Sequence, residues 1–100
     1  MIETSNVSIL RYYIYVLLSL KDRKLYIGFT TDLKKRLVER AKGLSTATHA
    51  RRPLKLIHYE YFINVEDAKA RERFLKSGFG RNQLKLALKR TLKSLEYRHL

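Results

Sequence analysis

The sequence predicts an α+β fold: a small, mostly antiparallel three-stranded sheet flanked by helices, in the order β-β-α-β-α-α. Three observations predict it. Two runs rich in β-branched and aromatic residues, "YYIYVLLSL" and "KLYIGFT", are separated only by a polar turn around Lys21-Asp22-Arg23, as in a hairpin. A third such run, "LKLIHYEYFI", comes later in the chain. The segments between and after these runs place their apolar residues at helical spacing. A sheet of this size must bury a face, and helices packed on it do so.

Taken in order, residues 1–11 form a short leader, and residues 12–20 and 24–30 are the hairpin strands. Asp32 offers an N-cap to a helix that Gly43 closes, with Leu33, Leu37 and Ala41 as its apolar stripe. Arg36 and Arg40 share one face of that helix at i, i+4 spacing. Residues 44–53 are a polar, basic loop ending in the only proline, Pro53. The third strand spans 54–63 and carries large side chains on both faces, with Glu60 set among tyrosines and expected to pair with a lysine. Asn64 caps the next helix, and Glu66 and Asp67 fall in its first turn, where the helix dipole favours acids. "GFG", residues 78–80, reads as a break. From about Asn82, Leu84, Leu88, Leu92 and Leu95 mark one last amphipathic helix that closes the core, and residues 96–100 form a tail.

Charge narrows the function. The 100 residues hold 22 Lys and Arg against 9 Asp and Glu, a net charge of +13. So strong an excess on a small body favours a polyanionic partner, nucleic acid before an acidic membrane surface. The hydrophobic fraction, 45%, is too high for a disordered basic tail. The absence of cysteine excludes disulfides, thiolate zinc sites and a cysteine nucleophile, and fits a reducing, cytoplasmic setting. "YYIYVLLSL" is too short to span a bilayer, and it is followed by charges rather than a cleavage site, so neither a membrane nor an export role is expected.

Most of the acids have local explanations. Asp22 sits in a turn, Asp32, Glu66 and Asp67 at helix starts, and Glu3 and Glu96 near the ends. Glu39 reads as a solvated helix charge. Glu72 differs, because it borders the apolar arc formed by Ala68, Arg71, Phe74 and Leu75. A carboxylate half-buried there needs a charged partner, and a neighbouring arginine is the plain candidate.

Read together, "YIYVL", then "YIGFTTDLKKRL", "RRP" and "AKARERFLK" resemble the GIY-YIG nuclease family. The likeness is to its small single-domain bacterial members, similar in turn to the nuclease domain of the bacterial excision-repair endonuclease. It runs from about Tyr12 to Leu88, so that residues 12–95 form one GIY-YIG-like domain. The resemblance implies roles by position. Tyr15 and Tyr26 stand where the family's two motif tyrosines stand, Gly28 is the close-packing glycine, Arg36 the helix arginine, and Glu72 the metal-binding glutamate. Two positions depart from the pattern: Tyr13 stands where glycine is common, and Arg40 where many relatives carry a histidine that assists the tyrosine base.

The implied activity is a metal-dependent endonuclease that hydrolyses DNA phosphodiester bonds, structure-selective, in repair or recombination. One carboxylate suits a single Mg²⁺ or Mn²⁺ held by Glu72, waters and the substrate phosphate, with no small-molecule cofactor. Arg36 would hold phosphate charge as a preorganised fork. Tyr15 would accept the proton of water, which a phenol with an ordinary pKa near 10 can do only among cations, and Tyr26 would position the water or Tyr15. Arg40, always charged, cannot itself accept a proton. His49 is an alternative auxiliary, and Asn82 stands nearest the asparagine that follows the family's glutamate. Lys34, Lys35, Arg51, Arg52, Lys55 and Lys76 are candidate phosphate contacts, which set register rather than sequence choice. With no recognition domain in view, branched, nicked or single-stranded DNA is the expected substrate. Two other readings are a non-catalytic nucleic-acid-binding module of the same fold and a basic ribosome-associated protein.

Overall fold

The computed structural model describes residues 10–97. Strands β1 (Tyr12–Ser19) and β2 (Leu25–Thr30) form the expected hairpin, and β3 (Leu54–Phe62) adds to its other side. The strand order is β2-β1-β3 and every pairing is antiparallel, so β1 is central and β2 lies on an open edge. Tyr15 faces Gly28 on one side and Tyr59 on the other. A bulge between Val16 and Leu17 shifts the register against β3.

One face of the sheet makes the core. Ile14, Val16 and Leu18 of β1, with Leu25 and Ile27 of β2, pack on Ala68 and Leu75 of α2 (Val65–Lys76), Leu84 of α3 (Gly78–Ala87) and Leu95 of α4 (Lys89–Tyr97). Burying each leucine, isoleucine or valine side chain contributes about 2 kcal/mol relative to exposing it. Among the described residues, no helix is long and apolar enough to cross a membrane.

The caps fall where expected. Asp32 accepts from the Lys35 N–H at 3.0 Å to start α1 (Leu33–Ala41), and Asn64 accepts from Glu66 and Asp67 to start α2. Gly43 takes φ +75° just past α1, a conformation glycine adopts without strain.

Four expectations need correction. "GFG" is not a break but the first turn of α3. Ser77 ends α2 and caps α3 by accepting from the Gly80 N–H, and a Cβ on Gly80 would run into the Phe74 carbonyl. The single last helix is two, α3 and α4, because Leu88 leaves helical geometry at φ −102°, ψ 19°. The stripe on α1 is not core: Leu33 and Leu37 are half-buried, Ala41 is exposed, and the helix has no fully buried residue. Glu60 pairs not with a lysine but with Arg71, through Nε at 2.9 Å and Nη2 at 3.1 Å, and with His58 at 2.9 Å. Burial pushes the Glu60 carboxyl up, but Arg71 and His58 outweigh it and hold it below the usual carboxylate range. The expected leader and tail lie largely outside the described residues, and α4 runs as far as Tyr97.

The β1–β2 turn is fastened to the loop before β3 by one buried side chain. Ser19 Oγ donates to the Arg51 carbonyl at 2.7 Å and accepts from the N–H groups of Lys21 and Asp22 at 3.2 and 3.1 Å. Within the turn, Arg23 takes φ 63°, in the left-handed region.

Candidate active site

A cleft of about 370 Å³ opens at the β2 edge of the sheet, and Tyr15, Tyr26, Gly28, Arg36, Arg40 and Glu72 all line it. They come from β1, β2, α1 and α2, so folding gathers them from separate parts of the chain.

Tyr15 lies on Gly28. A Cβ on that glycine would overlap the ring at Cζ and the hydroxyl, so only glycine allows the ring to cross β2 at this level. The residue is only 1% exposed, yet it forms part of the cleft wall, so it can be approached only from the cleft. Its hydroxyl accepts from Arg40 Nη2 at 3.0 Å. Arg40 is held in turn: Nη1 donates to Ser45 Oγ and, at 3.3 Å, to Thr48 Oγ1. Its Nε is buried with no hydrogen-bond partner among the described residues. Arg36, one helical turn earlier, pairs with Glu39 at 3.3 Å, so Glu39 is not simply solvated. The Tyr15 hydroxyl, more than Glu39, raises the Arg36 guanidinium above its ordinary value, against the opposing effect of burial.

Tyr26 meets the opposite charge. Its hydroxyl donates to Asp22 Oδ2 at 3.1 Å, and Arg51 grips the same oxygen at 2.6 Å while lying 5.3 Å from the centre of the Tyr26 ring. Burial, and then the Asp22 hydrogen bond, push the Tyr26 phenol up. Asp22 itself is held down at about 2, chiefly by the Lys24 N–H and then, against desolvation, by Arg51. Tyr26 is therefore a donor bound to a carboxylate, whereas the oxygen of Tyr15 receives a cation's hydrogen bond.

Glu72 is the sole carboxylate on the cleft wall among the described residues, and its side chain is 16% exposed. Its partners are lysines rather than an arginine: Lys76 at 3.0 Å and Lys69 at 3.8 Å. Among the described residues, no three acidic or histidine side chains gather into a metal cage. A lone carboxylate in an open cleft fits a hard divalent ion that keeps most of its waters and takes further oxygens from phosphate. Such an ion would displace the lysines from Glu72.

Of the expected phosphate contacts, Lys76 lines this cleft, and Arg51 lines a neighbouring groove. Lys34 and Lys35 lie on the exposed surface of α1, and Lys55 is exposed on β3. Arg52 is occupied with the carbonyls of His49 and Ala41. His49 is exposed in the turn His49–Arg51, and Asn82 is exposed on α3; neither lines the cleft, so the expected auxiliary roles gain no support from position. Sequence reasoning missed Asp22 and Ser45, and it gave Thr48 no role. The only sequence signal for Asp22 was an acid in the turn leading directly into "YIG"; Thr48 matched a position seen in similar small members, and Ser45 carried no signal.

Comparison with known proteins agrees with this geometry. The GIY-YIG catalytic domain matches residues 11–85. A UPF0213 protein of Clostridium perfringens is 34% identical over 86 residues, covering 85% of this chain and 91% of its own. A UPF0213 protein of Streptococcus pyogenes is 42% identical over 72 residues, covering 71% of this chain and 77% of its own. The solution NMR structure of a UPF0213 protein from Bacillus halodurans superposes with a TM-score of 0.51 at 32% identity, covering 80% of this chain and 86% of that one. The three-stranded sheet, the gathered motif residues and these likenesses agree: the chain belongs to the GIY-YIG nuclease family, among its small UPF0213 members.

Proposed function

We propose that this protein is a structure-selective, metal-dependent endonuclease that hydrolyses DNA phosphodiester bonds in repair or recombination. The observation that carries the reading is the shared cleft: two phenols, two guanidiniums and a single carboxylate from four elements line it. Arg36 supplies a cationic fork for phosphate oxygens, and Arg40 adds positive charge beside Tyr15. Tyr15, in its phenolate form, takes a proton from water as the water oxygen bonds to phosphorus and the P–O3′ bond breaks. Arg40 already donates to the Tyr15 oxygen and so sits where that phenolate charge forms. Tyr26, tied to Asp22, does not compete for the proton; it fixes one wall of the cleft. Glu72 would hold the Mg²⁺ or Mn²⁺, which when bound supplies positive charge to the departing oxygen.

The test is cleavage of nicked and branched DNA with Mg²⁺ or Mn²⁺. Glu72→Ala or Arg36→Ala is expected to lower the rate by at least about 10³-fold, in line with losses of charge-stabilising groups, while DNA binding persists. Metal-independent cutting, or full activity in both variants, would falsify the reading. A second reading, a binding module without catalysis, is favoured by one observation: both oxygens of Glu72 are met by lysines. Binding with no metal-dependent cleavage on any substrate would select it.

A further inference from the structure

A second, larger groove of about 640 Å³ runs beside the cleft and shares Tyr26, Ile27 and Lys76 with it as a common wall. Six cations line it: Arg23 and Lys24 of the β1–β2 turn, Arg51 of the loop, Lys76 at the end of α2, and Arg81 and Lys85 of α3. Among the described residues, no carboxylate lines it. Arg51 and Lys76 are paired with Asp22 and Glu72, but Arg23, Lys24, Arg81 and Lys85 form no ion pair among the described residues. Arg23 and Arg81 each keep one guanidinium nitrogen shielded from solvent without a hydrogen-bond partner there. Cations gathered on one groove without carboxylates repel one another unless an anion meets them. Arg23 also takes a φ of 63°, in the left-handed region that a non-glycine residue seldom adopts.

We propose that this groove is a subsite for the sugar–phosphate backbone of the nucleic-acid strand flanking the phosphate in the cleft, with Arg23, Arg81 and Lys85 as its principal phosphate contacts. The assignment deepens the nuclease reading and rests on it, since a strand leaving the cleft past Lys76 and Tyr26 enters the groove directly. The cations, spread over the turn, the loop, α2 and α3, suit phosphates at successive positions. Arg23, Arg81 and Lys85 escaped notice in the sequence because they come from a turn and from a helix that reads as core packing.

The test is equilibrium binding of a fluorescent single strand of about 16 nucleotides, within the usual site size for single-strand binders, in EDTA so that no cutting occurs. The triple variant Arg23→Gly, Arg81→Gln, Lys85→Gln is expected to bind at least about 10-fold more weakly. The slope of log affinity against log salt is expected to fall by about 2, at about 0.7 per lost phosphate contact. A control that removes three charges elsewhere, Lys89→Gln, Arg90→Gln, Lys93→Gln, is expected to change affinity less than about 3-fold. Arg23→Gly alone guards against misfolding: the left-handed φ accepts glycine, so the melting temperature holds while affinity falls. An unchanged salt slope in the groove variant, or an equal loss in the control, overturns the proposal. So does groove-dependent binding to phosphatidylserine vesicles with none to the oligonucleotide. Groove-dependent binding by a protein that never cuts DNA supports the groove and rejects the nuclease, so the two failures are distinct.

Discussion

Tyr15 and Tyr26 stand on neighbouring strands of one hairpin and line the same cleft, but in opposite electrical settings. Tyr15 rests on Gly28 with its oxygen accepting from Arg40 and with Arg36 beside it. Tyr26 gives its hydrogen bond to Asp22, and burial together with that carboxylate keeps its phenol protonated beyond its ordinary range. Two triplets that look alike in sequence therefore present their phenols to opposite charges. One oxygen receives a guanidinium's hydrogen bond, and the other donates to a carboxylate. What separates the tyrosines is not their own residue type but the charges that the turn and the loop bring to them.

The comparison can be broken or sharpened by substitution. The largest expected effect is Tyr15→Phe, which on the proposed mechanism removes the base and lowers cleavage about 10³-fold, within the usual range for a general base. Equal losses in Tyr15→Phe and Tyr26→Phe would erase the distinction. Next is Gly28→Ala, whose methyl overlaps the Tyr15 ring. Overpacking of this kind costs about 1–3 kcal/mol, readable by urea denaturation, and cleavage falls with it because the phenol is displaced. A stable, fully active alanine variant would show that the close approach does not position Tyr15. Tyr26→Phe is milder. The hydrogen bond to Asp22 is lost, and cleavage drops about 10-fold through a loosened wall rather than a lost base. The smallest effect is a pH dependence. Asp22 sits at about 2 in the folded chain against 3.8 ordinarily, so its stabilising contribution is complete above about pH 4 and disappears as pH falls toward 2. The stability gap between wild type and Asp22→Asn should therefore close across that window in acid denaturation, and a gap that stays constant contradicts the Asp22–Tyr26–Arg51 arrangement.

Much of the fold was legible because local signals agreed with tertiary ones. The hairpin strands are written in β-branched and aromatic residues, and Asp32 and Asn64 cap helices that begin one residue later. The end of the chain misled for a physical reason. Leucines at 84, 88, 92 and 95 keep helical spacing across the break at Leu88, so periodicity cannot reveal it. "GFG" carries breaker residues, yet Ser77 caps the turn, and Gly80 is required by a carbonyl that no local pattern discloses. At the site, Tyr15, Tyr26, Arg36 and Glu72 were readable as a recurring motif set. The roles of Asp22, Ser45 and Thr48 were not, because they lie in what these residues touch: Asp22 meets Arg51 across 29 positions, and the two loop hydroxyls hold Arg40.

Ser19 carries a mechanical consequence. Its single oxygen joins the hairpin tip to the loop that bears Thr48 and Arg51, so the supports of both tyrosines are riveted together. Loosening that rivet would disturb the anionic end and the cationic end in concert, although the residue itself touches neither phenol. The two halves of the cleft thus share one anchor.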